Sequence, residues 1–229
     1  MKGCEKMKFR HECKHEITLS DMLTIRARLS AAAMPDPHAT NGKYEIRSLY
    51  FDDLYDTALR EKLDGVNFRE KYRIRLYNGD TSLIKLEKKS KINGLCSKES
   101  ATLTAEEAQR IADGDTEWMG SDSRPLVTEL YSRMQSRGLR PKTVVDYTRE
   151  PFIFPAGNVR VTIDYNIRTG MGVTDFLNPD MPTVPAGDSP IILEVKWDDF
   201  LPDIIRDTVN LNGTRTAAFS KYAACRIYG

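Results

Sequence analysis

The sequence has few cysteines and no pattern that would organise them. The 229 residues contain four, namely Cys4, Cys13, Cys96 and Cys225. No two of them form a C-x-x-C pair, and a disulfide-dependent secreted domain would have many more per residue. We therefore expect reduced thiols without a functional role.

Long apolar runs and a strong excess of one charge are also missing. No segment approaches the roughly 20 apolar residues that a membrane-spanning helix needs, and residues 1–16 lack the apolar core of a signal peptide. The formal net charge is +1, so the molecule as a whole has no field that would attract DNA or an anionic membrane. We expect a cytoplasmic protein without a membrane partner, in which any charged site is local.

Internal repeats, low-complexity blocks and Gly/Ser-rich linkers are absent as well. Hydrophobic residues make up 40% of the chain and charged residues 29%, which is a globular composition. This length commonly forms one domain, so we expect a single domain over residues 1–229. Proline and glycine clusters predict two long loops within it, at residues 34–42 and 170–190.

Helix signals occur at four places. Ser20 precedes a helical pattern, and Thr104 with Glu107 can form a capping box at the start of another helix. A third helix is expected over residues 125–137, with Gly138 as its C-terminal stop. The last one is predicted over residues 215–227.

Strand-like segments outnumber these helices. They are residues 9–17, 45–52, 71–77, 83–89, 143–149, 159–165 and 191–197. Each is rich in β-branched, aromatic or alternating residues and is bounded by turn formers or helix signals. The sequence therefore predicts an α+β protein dominated by strands.

The polar side chains of these strands are unusually basic. Alternation along a strand puts Lys71, Arg73 and Arg75 on one face and Tyr72 and Ile74 on the other. The same split occurs in four further strands, whose polar sets are Lys85, Glu87 and Lys89; Arg160, Thr162 and Asp164; Glu194 and Lys196; and, less cleanly, Arg10, Glu12 and Lys14.

Alternation alone is typical of an antiparallel sheet with one face in water, and that interpretation stays open. However, arginine and lysine recur at facing positions, where like charges destabilise a sheet. We infer that a bound anion relieves this repulsion. A nucleic-acid groove would add interleaved aromatics or a recognition module, and neither is present. The glutamates among the cations favour a phosphate ligand together with a hard divalent ion.

A competing motif overlaps the first strand. Residues 11–15 read His-Glu-Cys-Lys-His, which fits the His-Glu-x-x-His zinc signature. That signature places two imidazoles on one face of a helix. Here charged residues intrude and a separate helix signal follows, so we disfavour a zinc site.

In chain order, the motifs RHECKHEI, SLYFDD, KYRIRLYNG, IKLEKKSKINGLCSKES, LRPKTVVDYTREPF, VRVTIDYNIRTG, IILEVKW and AFSKY span almost the whole sequence. Each is weak alone, but their succession resembles the VTC domain, the polyphosphate polymerase domain of the CYTH or triphosphate-tunnel group. The resemblance implies an antiparallel β-barrel of about eight strands that forms a tunnel, with peripheral helices and the charged faces pointing inward.

The resemblance also implies roles for individual residues. We add other residues that lie on the same charged faces or beside the matched motifs. The expected catalytic cations are Arg73, Arg75, Lys89, Arg149, Arg160 and Lys221. The expected substrate-binding residues are Lys14, Arg10, Lys85, Lys196, Tyr147 and Ser220. Glu194 and Glu12 are the expected ligands of Mn²⁺ or Mg²⁺. The wider group often begins with Glu-x-Glu-x-Lys, whereas here Arg10 replaces the first glutamate, which favours a single-metal tunnel over a two-metal triphosphatase.

The function implied is an ATP:polyphosphate phosphotransferase that moves the γ-phosphate of ATP onto a growing polyphosphate chain. Expected ligands are ATP or another nucleoside triphosphate, polyphosphate, triphosphate and pyrophosphate, with no nucleic acid. Two alternatives stay open at this point. One is a metal-dependent triphosphatase that uses water as the acceptor, and the other is a non-catalytic polyphosphate-binding module.

Overall fold

The computed structural model describes residues 10–93, 95–210 and 219–227. In these ranges the strands are β1 (His11–Ile17), β2 (Met34–Pro35), β3 (Tyr44–Asp52), β4 (Phe68–Tyr77), β5 (Asp80–Ile92), β6 (Leu95–Leu103), β7 (Arg140–Phe154), β8 (Val159–Thr169), β9 (Val184–Pro185) and β10 (Ile191–Trp197). Eight of them form one continuous path, in the order β1-β10-β8-β7-β3-β4-β5-β6. The two-residue strands β2 and β9 pair with β7 and β8.

Every neighbouring pair in this sheet is antiparallel. The sheet curls so far that its two edges approach each other: among the described residues, Arg10, just before β1, forms a bridge with Cys96 in β6. Sheet twist and this curl turn one face inward, where side chains from different strands approach one another. The predicted α+β fold with an antiparallel, tunnel-forming sheet of eight strands is confirmed.

The helices within the described ranges are α1 (Leu19–Ala32), α2 (Thr57–Leu63), α3 (Ala105–Asp113), α4 (Pro125–Arg137), α5 (Asp203–Val209) and α6 (Lys221–Ile227). Helices α1 and α5 pack on the apolar face of β8 and β10, and α3 and α4 pack on that of β4 and β5. Helix α6 lies on the opposite, concave side, where Tyr222 and Cys225 contact Ile46 and Ile192. None of the helices described is long and apolar enough to cross a membrane.

The helix ends follow local capping chemistry. Thr104 and Glu107 form the predicted capping box, and Gly138 ends α4 with φ at 66°. The prediction that Ser20 starts α1 was wrong, because Thr18 caps this helix and exchanges hydrogen bonds with Asp21. Of the helix predicted over residues 215–227, the described part begins at Lys221, and residues 215–218 lie outside the described ranges.

A buried carboxylate fixes the position of α6 at one end of β3. Asp52 is fully buried and accepts hydrogen bonds from the backbone amides of Ala58 (2.8 Å) and Leu59 (3.1 Å) in α2. It also accepts one from the hydroxyl of Tyr222 at 2.7 Å. Such bonds satisfy a buried charge that would otherwise be costly. Since Tyr222 follows Lys221, this contact also places Lys221 at the concave face.

Candidate functional site

The alternation predicted for the basic strands is present in the structure. Tyr72 and Ile74 are buried in the core beneath α3 and α4, whereas Lys71, Arg73 and Arg75 line a cavity on the concave side. The guanidinium of Arg75 is only 4% exposed. The charged face is therefore enclosed by the curled sheet instead of facing bulk water.

Three adjoining cavities lie on the concave side of the sheet. Their volumes are about 330, 80 and 270 Å³. The middle one shares Lys14, Lys71 and Lys89 with the first and Arg73, Arg75 and Arg149 with the third. Because neighbouring cavities share these walls, we treat the three together and call them the tunnel.

Basic residues dominate the middle of the tunnel. Eight of its described lining residues are cations, contributed by β1, β4, β5, β7, β10 and α6. They are Lys14, Lys71, Arg73, Arg75, Lys89, Arg149, Lys196 and Lys221. Strand β4 supplies three of them at alternate positions, as expected for side chains on one face of a strand.

Glu194 lies at the centre of one group of ion pairs. Its carboxylate is 2.9 Å from Lys196 Nζ, 3.3 Å from Lys14 Nζ and 3.3 Å from Arg149. Arg149 also binds Asp164 through two hydrogen bonds of 2.6 and 2.7 Å. The ammonium of Lys221 contacts the same Asp164 at 2.5 Å.

Glu12 and Glu87 form a second set of ion pairs. Glu12 contacts Lys89 at 2.8 Å and Lys14 at 2.9 Å. Glu87 contacts Arg73 at 2.7 Å, whereas Arg75 is 3.8 Å away from it. Arg75 instead donates hydrogen bonds of 3.0 Å to two neutral hydroxyls, those of Ser48 and Tyr147.

The tunnel carboxylates are ionised despite their burial. Burial and the nearby Glu194 both raise the pKa of Glu12, but Lys14, Lys89 and Lys196 outweigh them and lower it to about 2. Burial likewise opposes ionisation of Asp164, and Arg149 and Lys221 bring its pKa to about 2. The pKa values of Glu87 and Glu194 are lowered in the same way by their cationic neighbours.

Even so, the carboxylates do not balance the cations. Within the described residues, seven of the eight lining cations form ion pairs, and they share only four carboxylates, those of Glu12, Glu87, Asp164 and Glu194. A buried excess of positive charge is unfavourable unless an anion shares the space. The tunnel is thus suited to a slender, highly charged anion.

Uncharged groups add further hydrogen-bonding capacity. Tyr147 lines the middle cavity, and Lys221 Nζ lies 4.5 Å from the centre of its ring. Ser220 also lines it, and its hydroxyl accepts a hydrogen bond from the amide of Ala223 at 3.3 Å, so it caps the start of α6. Both residues therefore lie beside the tunnel cations.

The other predicted residues lie towards the ends of the barrel. Arg10 and Arg160 line the third cavity, where Arg10 contacts Asp198 at 2.8 Å and Arg160 contacts Asp36 at 2.8 Å. Lys85 lies opposite Arg75 on the neighbouring strand, but it does not line any of the three cavities. The structure thus brings together all the predicted site residues except Lys85.

Sequence reasoning did not assign four residues of this site. Glu87 and Asp164 were placed on the charged face but given no role, although each holds two of the tunnel cations. Alternation placed Lys71 on the same face as Arg73 and Arg75, but it too was given no role. No sequence pattern pointed to Tyr50, since only the fold brings its hydroxyl to 2.9 Å from Arg73.

The zinc signature has no structural basis in this site. Residues 11–17 form strand β1, not a helix. Alternation therefore turns Glu12 away from His11 and His15, and His11 stacks on Trp197 with ring centroids 5.5 Å apart. The charged residues that argue against zinc in the sequence are typical of a strand that turns one face towards the tunnel.

Two of the tunnel carboxylates suit a hard divalent cation. Glu12 and Glu194 share the ammonium groups of Lys14 and Lys196. No group of three or more His, Cys, Asp or Glu residues that could hold a metal occurs in the described part of the chain. Magnesium and similar ions are often held by one or two carboxylates plus substrate phosphates, so this donor set fits an ion that arrives with a phosphorylated ligand.

Comparison with solved structures identifies relatives of the fold. A protein of Hippeastrum, described as a candidate adenylyl cyclase with a dominant triphosphatase activity, superposes with a TM-score of 0.59 at 12% identity, over 95% of each chain. The PH1012 protein of Pyrococcus horikoshii OT3 superposes with a TM-score of 0.50 at 14% identity, over 93% of this chain and 96% of the other. At these identities the similarity establishes the fold alone.

Sequence comparison gives a more specific result. No curated protein matches the chain. The sequence model of the VTC domain matches residues 9–227, which is nearly the whole chain and includes every strand and helix of the tunnel. The protein belongs to the VTC domain family.

Proposed function

We propose that this protein transfers the γ-phosphate of ATP onto a growing polyphosphate chain inside the tunnel, with Mn²⁺ or Mg²⁺ as the cofactor. The observation that supports this most is the excess of cations over carboxylates in the tunnel. A linear chain of phosphates presents anionic oxygens along its whole length, and it is thin enough to share a barrel interior with side chains.

Phosphoryl transfer suits this set of residues because it needs little covalent chemistry from the protein. Positioning of donor and acceptor, and stabilisation of charge on the transferred group, account for most of the catalysis. Arg73, Arg75 and Arg149 would contact phosphate oxygens with their guanidinium groups, and Lys89 and Lys221 would contribute point charges. In this proposal the terminal phosphate of the growing chain is the nucleophile and ADP is the leaving group.

Glu12 and Glu194 would hold the divalent ion. When bound, the ion would neutralise charge on the phosphate oxygens of the nucleotide. The carboxylates themselves would repel phosphate without it. They are therefore assigned to the metal, and the surrounding arginines and lysines to the phosphates.

A second candidate is a triphosphatase, in which water replaces the polyphosphate acceptor. This candidate is supported by the structurally similar Hippeastrum protein, which is described as having a dominant triphosphatase activity. The same cations would bind the substrate in both reactions. The difference lies in what occupies the acceptor end of the tunnel.

A product assay separates these candidates. The purified protein is incubated with ATP and Mn²⁺, and the products are resolved by gel electrophoresis and by an orthophosphate assay. The proposal predicts long polyphosphate chains and an equivalent amount of ADP. Orthophosphate without polymer would establish the triphosphatase instead, and ATP left unchanged would contradict both reactions.

A further inference from the structure

Lys71 differs from the other cations of the tunnel in its surroundings. The other seven cations that line the middle cavity each contact at least one carboxylate. Lys71 makes no ion pair with any carboxylate in the described ranges. The ring of Tyr50 lies beside it, with its centre 5.9 Å from the ammonium nitrogen.

Its neighbours across the sheet make this position less favourable. Lys71 pairs directly with Lys89 on β5, and Lys89 pairs with Lys98 on β6. Three lysines thus form a row across three adjacent strands, where like charges at facing positions are destabilising. Lys89 and Lys98 are relieved by Glu12 and Glu87. Among the described residues, Lys71 has no equivalent partner.

Its location is where an anion in the tunnel would pass. Lys71 lines both the first and the middle cavity, so its ammonium group lies at their junction. From these positions we propose that Lys71 is a further phosphate-binding residue, and that it takes up a proton from solvent as the phosphate chain enters. This inference rests on the proposed function, because it requires a polyphosphate or triphosphate ligand in the tunnel.

The charges around Lys71 support proton uptake. Burial lowers its pKa, and Lys89, Lys14 and Arg73 lower it further against the attraction of Tyr50, to about 7. The other groups lining the same cavities are Lys62, Arg69, Lys91, Glu12 and Glu70 at the first, and Arg75, Arg149, Lys196, Lys221 and Glu194 at the middle. An entering phosphate would add negative charge beside the amine and raise its pKa, so the amine would gain a proton.

Tyr50 belongs to the same small group. Burial raises the pKa of its phenol, but Arg73, Lys71 and Arg75 lower it to about 7. A phosphate ligand would weaken the effect of these cations and favour the protonated phenol. A variant that keeps the charge at position 71 is therefore needed to separate the contribution of Lys71 from that of Tyr50.

Calorimetric titration with triphosphate at pH 7.5, in two buffers of different ionisation enthalpy, measures the proton uptake directly. For the parent we expect an uptake from Lys71 of at least about half a proton per triphosphate, given a free amine with a pKa near 7. Lys71→Arg should bind within a few-fold of the parent with that uptake removed. Lys71→Met should bind roughly tenfold more weakly or worse, since a charge-assisted contact is lost.

Thermal unfolding without ligand provides an independent readout. Lys71→Met should raise the Tm of the empty protein, because on folding the lysine must either lose its proton or hold a charge that its neighbours repel, whereas methionine keeps an apolar stem without that cost. A residue with only a structural role would lower the Tm instead. Lys43→Met is the matched control, since Lys43 is half-exposed beside Glu45 outside the tunnel, and it should change none of these values.

Each outcome decides the inference. Parent-like affinity and proton uptake in Lys71→Met would overturn it, as would a lowered Tm accompanied by equal losses of binding in the arginine and methionine variants. If the parent itself fails to bind triphosphate, the proposed function fails and this inference fails with it. Binding by the parent with no dependence on position 71 would leave the proposed function intact and reject the role of Lys71 alone.

Discussion

Arg75→Met is expected to weaken triphosphate binding on the order of 10- to 100-fold, the loss of one charge-assisted contact from a water-poor site. The guanidinium of Arg75 is almost fully buried, and its hydrogen bonds go to the hydroxyls of Ser48 and Tyr147. Its charge is consequently less neutralised than that of Arg73, which binds Glu87 through two contacts of 2.7 and 2.8 Å.

The comparison of these two arginines makes the test specific. Arg73→Met should also weaken binding, but by less than Arg75→Met, because Glu87 already offsets the charge of Arg73. Isothermal titration calorimetry with triphosphate measures both variants. Arg28→Met is the control, since Arg28 lies exposed on the outer helix α1. Parent-like affinity in both tunnel variants would reject their assignment to phosphate.

Glu194→Gln is expected to reduce metal-dependent turnover by about 100-fold or more, since a bound metal contributes several kcal/mol to stabilisation of the transition state. The glutamate is 2.9 Å from Lys196 and 3.3 Å from Lys14 and from Arg149. The amide keeps the shape of the side chain but removes a negative charge from among these cations. Triphosphate binding without metal should therefore be unchanged or tighter.

Opposite effects on activity and affinity distinguish a metal ligand from a structural residue. Turnover of ATP is measured with Mn²⁺, and triphosphate affinity is measured by calorimetry in the presence of a chelator. Glu106→Gln, at an exposed position of α3, controls for the loss of one carboxylate. Full activity in Glu194→Gln would show that the carboxylate does not serve the metal, whereas a loss of metal-free binding would assign it to the fold of the tunnel.

The strands that shape the tunnel were predictable where their two faces differ clearly in chemistry. In β4, β8 and β10, apolar residues alternate with charges, because one side packs on helices and the other faces the tunnel. Strand β10 was predicted with its bounds unchanged. Strand β6 was not predicted, since its sequence LCSKESATL is mostly polar. It is an edge strand of the described sheet and pairs along its length with β5.

Long-range pairing limited what could be predicted about the site itself. Alternation placed Arg73 and Glu87 on the charged faces of their strands, but only the register between β4 and β5 puts them opposite each other. Asp52 depends on still more distant contacts, because its hydroxyl donor Tyr222 lies 170 residues away. The sequence therefore predicted which side chains face inward, but it could not predict which of them are neutralised by a carboxylate.

The most direct test of a phosphate-binding tunnel is a crystal structure of the protein with triphosphate and Mn²⁺. The account predicts a linear triphosphate within the barrel, with its oxygens within hydrogen-bond distance of Arg73, Arg75 and Arg149, and the metal between phosphate oxygens and the carboxylates of Glu12 and Glu194. Triphosphate bound only on the outer surface, or a tunnel filled by side chains with no phosphate at saturating concentration, would contradict it.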